Sequence, residues 1–224
     1  LAEHLGGHNW VTHVDHGAME FIFKQGYKTM IDVGCGPGGA VTDARGIGFK
    51  AIGIDGDIKL DHINQEKFNK SPESLPFILF HDYTQGVLPD HLSWGNLTNT
   101  DLTEFDVGWC VEFLEHVEEK YIPNIMDTFR RCKIVVATHA LPGDTGGWHH
   151  VNLQSPEYWI KKFEDEGFIY DELKTLRLKK HSTMGRDFLR KTGKVFVRFD
   201  EKFKWYESVD SQNDLDRVRR DNWT

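Results

Sequence analysis

The chain has 224 residues, of which 39% are hydrophobic and 28% charged, with a formal net charge of −8. That length suits a single domain of about 150–250 residues with a real core, and the acidic balance works against nonspecific attraction to a long phosphate backbone. No run approaches the roughly 18 apolar residues that span a bilayer, and the N-terminus lacks the basic-then-apolar order of a signal peptide, so no membrane partner is expected. Cys35, Cys110 and Cys132 form no C-x-x-C pair, which argues for a reducing, cytoplasmic location and against a disulfide framework or a cysteine zinc site.

In chain order, residues 1–28 read as one or two helices forming a lid over a sheet. The early histidines His4, His8, His13 and His16 are irregularly spaced for a metal site and read as solvated surface. Five short apolar blocks then follow: TMIDVG (29–34), KAIGID (50–55), PFILFHD (76–82), FDVGWCV (105–111) and KIVVATH (133–139). Each reads as a buried parallel strand, with helices expected at 38–47, 57–69, 112–130 and 155–166. This alternation predicts an α/β fold on one mostly parallel sheet. FIYDELKTLRLKK and KVFVRFD come last with no long helix expected between them, so an antiparallel pair should close the sheet. The basic stretch 176–194 reads as a solvated hairpin or loop. The core is placed at 29–199 and a polar tail at 200–224.

MIDVGCGPGGAV (30–41) carries the strongest signal. A buried strand runs into Gly34-Cys35-Gly36-Pro37-Gly38-Gly39 and then a helix, so the backbone turns sharply and a ligand can approach it closely. Free N–H groups in such a turn suit a polar or negatively charged ligand. Asp55 ends the next strand, where a carboxylate can accept from both ribose hydroxyls. Together they imply an adenosine-containing ligand. The loop spacing departs from the dinucleotide pattern G-x-G-x-x-G.

The ordered set IDVGCGPGG, GID, FHDY and FDVGWCVEFLEHV resembles the class I S-adenosylmethionine-dependent methyltransferases, over about residues 29–170. The resemblance implies a Rossmann-like, seven-stranded, mostly parallel sheet with one antiparallel strand near the edge and helices on both faces, with S-adenosyl-L-methionine as the cofactor. It makes Gly34, Cys35 and Gly36 the floor under the methionine part and Asp32 the acid near its ammonium. Asp55 would hold the ribose, Asp82 would accept from the adenine amino group, and Tyr83 would lie beside the ring. Cys110 and Val111 would line the end of the fourth strand.

Glu112, Glu115 and His116 follow that strand at i, i+3 and i+4, a spacing that puts them on one helical face. Two carboxylates and an imidazole suit Mg²⁺, Mn²⁺ or Zn²⁺, and the glycine-rich stretch THALPGDTGGWHHVN supplies further histidines. The segment resembles the metal-dependent small-RNA 3′-terminal 2′-O-methyltransferases and the quinone-type O-methyltransferases. That resemblance makes Glu112, Glu115, His116 and His150 the metal set. Without a metal, His116, His139 or His149 is the candidate general base, while capping of a helix N-terminus is the other role open to the carboxylates. The expected reaction is methyl transfer to an oxygen or nitrogen of a small-molecule or terminal acceptor, with an RNA 3′-terminal ribose as the alternative. A nicotinamide-dependent oxidoreductase and a noncatalytic nucleoside-binding module are the rivals of another class.

Overall fold

The computed structural model describes residues 12–57, 59–60, 78–94, 97–144 and 146–200. The first element is α1 (His16–Lys24), capped by Asp15, whose carboxylate accepts from the Ala18 N–H at 3.2 Å. Then come β1 (Thr29–Val33), the glycine turn, α2 (Gly39–Ile47) and β2 (Lys50–Asp55). β1 and β2 are parallel, with Thr29 opposite Lys50 and Val33 opposite Ile54, so the glycine turn and Asp55 emerge at the same end of the sheet. Residues 58 and 61–69 of the helix expected at 57–69, His4 and His8, and the tail beyond residue 200 lie outside the described residues.

The sheet continues with β3 (Ile78–Phe80), β6 (Phe105–Cys110), β7 (Cys132–Ala137), β8 (Phe168–Tyr170) and β9 (Lys194–Arg198), in the order β3-β2-β1-β6-β7-β9-β8. β4 (His91–Trp94) and β5 (Leu97–Asp101) form a separate antiparallel pair. β9 runs antiparallel to both β7 and β8, which makes it the one reversed strand, next to the edge. The strand order reverses between β1 and β6, and in open α/β sheets ligands bind at the carboxyl ends beside that switch point.

Period-two alternation sorts the side chains onto two faces. Val135, Ala137 and Phe196 join a core beneath α3 (Ile122–Phe129) and α4 (Pro156–Asp165), where the Phe163 ring stacks on Phe196 with centroids 3.9 Å apart. Ile134, Val136, Val195 and Val197 join the opposite core, under α1, α2, α5 (Glu172–His181) and α6 (Phe188–Thr192). Helices therefore cover both faces, as expected.

Two expectations need correction. Residues 112–130 do not form one helix: a 3-10 turn at Leu114–His116 and another at Glu119–Tyr121 precede α3. Pro123, in the first turn of α3, is the reason, because proline is tolerated there and would break a helix running through it. The basic stretch is helical as well. α5 lies between β8 and β9, with Asp171 accepting from the Lys174 N–H at 2.8 Å as its cap. Glu172 in its first turn and Lys179, Lys180 and His181 in its last complement the helix dipole.

Candidate active site

The turn after β1 depends on its glycines. Gly34, Gly36 and Gly38 have φ of 76°, 51° and 78°, in the left-handed region, and a Cβ on Gly34 would meet the Phe113 ring at 2.2 Å. The turn's N–H groups are not left free, contrary to expectation. Those of Gly34 and Cys35 donate to the Ile54 carbonyl at 2.9 and 3.1 Å, and that of Gly36 donates to Asp55 Oδ2 at 2.8 Å. At the start of α2 the Gly39 N–H is taken by the Thr12 hydroxyl at 3.2 Å. The turn is thus a bare surface for close approach rather than an anion-binding nest.

Asp55 also accepts the Asp57 N–H at 2.9 Å on its other oxygen. Asp32 is 4% exposed, and burial together with the Asp55 carboxylate pushes it up to about 8. Both line one cleft of about 1080 Å³, with Gly34, Cys35, Gly36 and Val111. Asp82 and Tyr83 line it too, in roles that are partly local. Asp82 caps a turn by accepting from the Thr84 N–H at 2.9 Å, and the Tyr83 hydroxyl turns inward to Thr128 Oγ1 at 2.9 Å. Cys110 is fully buried in the core and is not among the lining residues.

His116 and His150 line the cleft, whereas Glu115 is fully buried behind it and is not a lining residue; one donor atom from each of the three lies within 4.8 Å of the others. They do not meet through a shared helical face. The chain leaves β6 through Glu112 at φ 56°, and the 3-10 turn then carries Glu115 and His116. The loop holding His150 is brought over by Val151 and Asn152, whose N–H groups donate to the Glu115 carbonyl at 3.0 and 3.1 Å. His149, at φ 50°, and Glu112 are the two non-glycine residues in the left-handed region among the described residues, and backbone strain of this kind collects at functional sites.

His116 Nδ1 lies 2.6 Å from the Trp148 carbonyl and His150 Nδ1 2.8 Å from that of Asp144. A carbonyl only accepts, so both Nδ1 atoms carry a proton, and in a neutral ring so held the lone pair is on Nε2. Burial holds His116 down to about 4, whereas burial and the Glu112 carboxylate push Glu115 up to about 8. Both Glu115 oxygens are buried without a hydrogen-bond partner. Glu112 stands outside this trio. Its N–H donates to Thr138 Oγ1 at 2.8 Å, and the Thr138 hydroxyl donates back to Glu112 Oε1 at 3.0 Å.

Two of the candidate bases are not in the cleft lining. His139 is 2% exposed, with Nε2 3.3 Å from Lys194 Nζ and Nδ1 3.1 Å from the Ala140 carbonyl. His149 has a buried Nε2 without a partner. Of the early histidines, His13 lines the cleft, and His16 is exposed and paired with Asp43 at 3.0 Å. Asp57, Asp144 and Arg186 line the cleft and Thr138 holds Glu112 beside it, and none of the four was singled out as a site residue in the sequence. The polar residue directly after the apolar β7 was the available signal for Thr138.

No family model and no curated protein sequence matches the chain. Solved structures do. Magnesium protoporphyrin IX methyltransferase (ChlM) from Synechocystis PCC 6803, with bound S-adenosylhomocysteine, superposes with a TM-score of 0.55 at 16% identity, over 80% of each chain. The fold is that of the class I methyltransferases. A TehB-like SAM-dependent methyltransferase from Corynebacterium glutamicum gives 0.53 at 14% identity, over 81% of this chain and 87% of that one. The methyltransferase domain of a bacterial Hen1, CtHen1-CN, gives 0.52 at 14% identity, over 81% and 96%. At these identities the likeness is one of fold.

Proposed function

We propose that this chain is an S-adenosylmethionine-dependent methyltransferase acting on an oxygen or nitrogen of a small-molecule acceptor. The observation that carries the reading is the charge of the cofactor end. Asp32, Asp55, Asp57 and Asp82 line it while the N–H groups of the glycine turn are spent internally. That suits a ligand with a sulfonium, an ammonium and ribose hydroxyls. A pyrophosphate needs free backbone donors at the helix start, which disfavours the nicotinamide reading. In the transfer, a lone pair of the acceptor oxygen forms the new bond to the methyl carbon. The carbon–sulfur bond breaks with its electron pair going to sulfur, and the hydroxyl proton passes to water.

Glu115, His116 and His150, with Glu112 beside them, fit a divalent cation. The Glu115 carboxylate, neither oxygen of which has a hydrogen-bond partner, and one ring nitrogen each of His116 and His150 form a convergent donor set of the kind that holds such a cation. What such a cation supplies when bound is positive charge beside the acceptor hydroxyl, which lowers its pKa and fixes its direction. The chain's own part is to hold acceptor and methyl group in line, worth on the order of 7–11 kcal/mol when well achieved.

Thermal unfolding with S-adenosylhomocysteine and, separately, with NAD⁺ tests the reading. A rise in Tm with the first and none with the second is expected; the reverse would transfer the protein to the oxidoreductases.

A further inference from the structure

The basic stretch 176–194 sends one of its residues to the cleft. Arg186 is the only lysine or arginine lining the cleft among the described residues. Its guanidinium has no hydrogen bond or ion pair to any of them. The other described arginines all have partners: Arg130 on Glu166, Arg131 on Asp127, Arg190 on the Met184 carbonyl, Arg198 on Asp200 and Arg45 on the Ala51 carbonyl, with Arg177 also engaged.

The loop that carries Arg186 is held at both ends. The Thr183 N–H donates to Asp15 Oδ1 at 2.8 Å, and Arg190 Nη2 donates to the Arg186 carbonyl at 3.3 Å. Beside it, the His13 ring meets Phe188 edge-on, with centroids 5.0 Å apart. The same cleft is also lined by the aromatic side chains of Phe113, Tyr121 and the half-exposed Trp148, together with Glu112, Glu118 and Asp144.

We propose that the acceptor is a small planar hydroxy compound bearing one anionic group, held by Arg186, with its ring against these aromatic side chains and its hydroxyl toward His116 and His150. This rests on the methyltransferase reading of the same cleft. Asp55, Asp57, Asp82, Glu112, Glu118 and Asp144 line the cleft against the one cation Arg186 among the described residues, so a polyanion is repelled and a single negative charge is admitted at Arg186. A guanidinium pairs with carboxylate or phosphate through two parallel N–H donors, and flat aromatic walls favour a ring.

The test is calorimetric binding of 3,4-dihydroxybenzoate, of catechol and of a short single-stranded RNA to protein saturated with S-adenosylhomocysteine. The benzoate should bind at least about tenfold more tightly than catechol, the scale of one charge-assisted pair. Arg186→Gln should abolish that preference and Arg186→Lys should keep part of it. Both variants should leave catechol and S-adenosylhomocysteine binding unchanged. Equal binding of benzoate and catechol, binding of neither, or RNA binding more tightly than the benzoate would overturn the proposal. Failure of S-adenosylhomocysteine to bind the wild-type protein is a separate result, and it would remove the methyltransferase reading itself.

Discussion

Asp32 and Glu115 are the two residues at which the fold holds a carboxyl group least comfortably. The groups facing Asp32 are the Asp55 carboxylate and the Cys35 and Cys110 thiols, both of which burial pushes well above their ordinary value. With its folded pKa near 8 and its ordinary value of 3.8, Asp32 is protonated in the native chain where the unfolded chain ionises. Native stability therefore falls as pH rises between those values, by up to about 1.4 kcal/mol per unit. A ligand ammonium favours the ionised form, so the sign for binding is opposite. Affinity for S-adenosylhomocysteine should rise with pH from 6 to 8, by up to about tenfold per unit, and then flatten. Asp32→Asn should remove the slope; an unchanged slope in that variant would assign it to another group. For Glu115 the prediction rests on geometry. Mn²⁺ or Zn²⁺ should raise the Tm of the wild-type protein, because a ligand that binds only the folded state stabilises it. Glu115→Gln should lose that rise, and an equal rise in both would leave the carboxylate without a metal role.

At the scale of elements, Asp15 links the two ends of the chain's described part. Its buried carboxylate caps α1 and also accepts from the Thr183 N–H and the Ser182 hydroxyl, so α1 and the loop before α6 are fastened at one point. Asp15→Ala should cost about 2–4 kcal/mol, the sum of a lost cap and of polar groups left without a partner. Urea unfolding measures it, and a change under 0.5 kcal/mol, roughly that of an ordinary surface substitution, would contradict the assignment. This fastening was not legible in the sequence, since Asp15 and Ser182 are brought together by tertiary packing alone. The strands were legible because buried parallel strands read as continuous apolar blocks. The late start of α3 could have been read from Pro123, while α5 was hidden by its polarity. Only Thr175 and Leu178 of its ten residues are buried, too few for an apolar stripe to show.

For the whole molecule, the glycine turn and Asp55 formed one consistent signal, and both line the cleft beside the switch point between β1 and β6, which the strand order reveals. The acceptor half was less legible for a physical reason. Glu115, His116 and His150 meet through a 3-10 turn and a loop crossing rather than through a helical period, and Arg186 sits in a basic run that resembles solvated surface. The central claim remains that the cleft binds a sulfonium nucleoside against the bare turn, with Asp55 holding its ribose. Calorimetric titration of S-adenosylhomocysteine into the wild-type and Asp55→Ala proteins tests it most directly. One-to-one binding to the wild type is expected, with at least about a tenfold loss in the variant. No binding to the wild type, or equal binding to both, would contradict it.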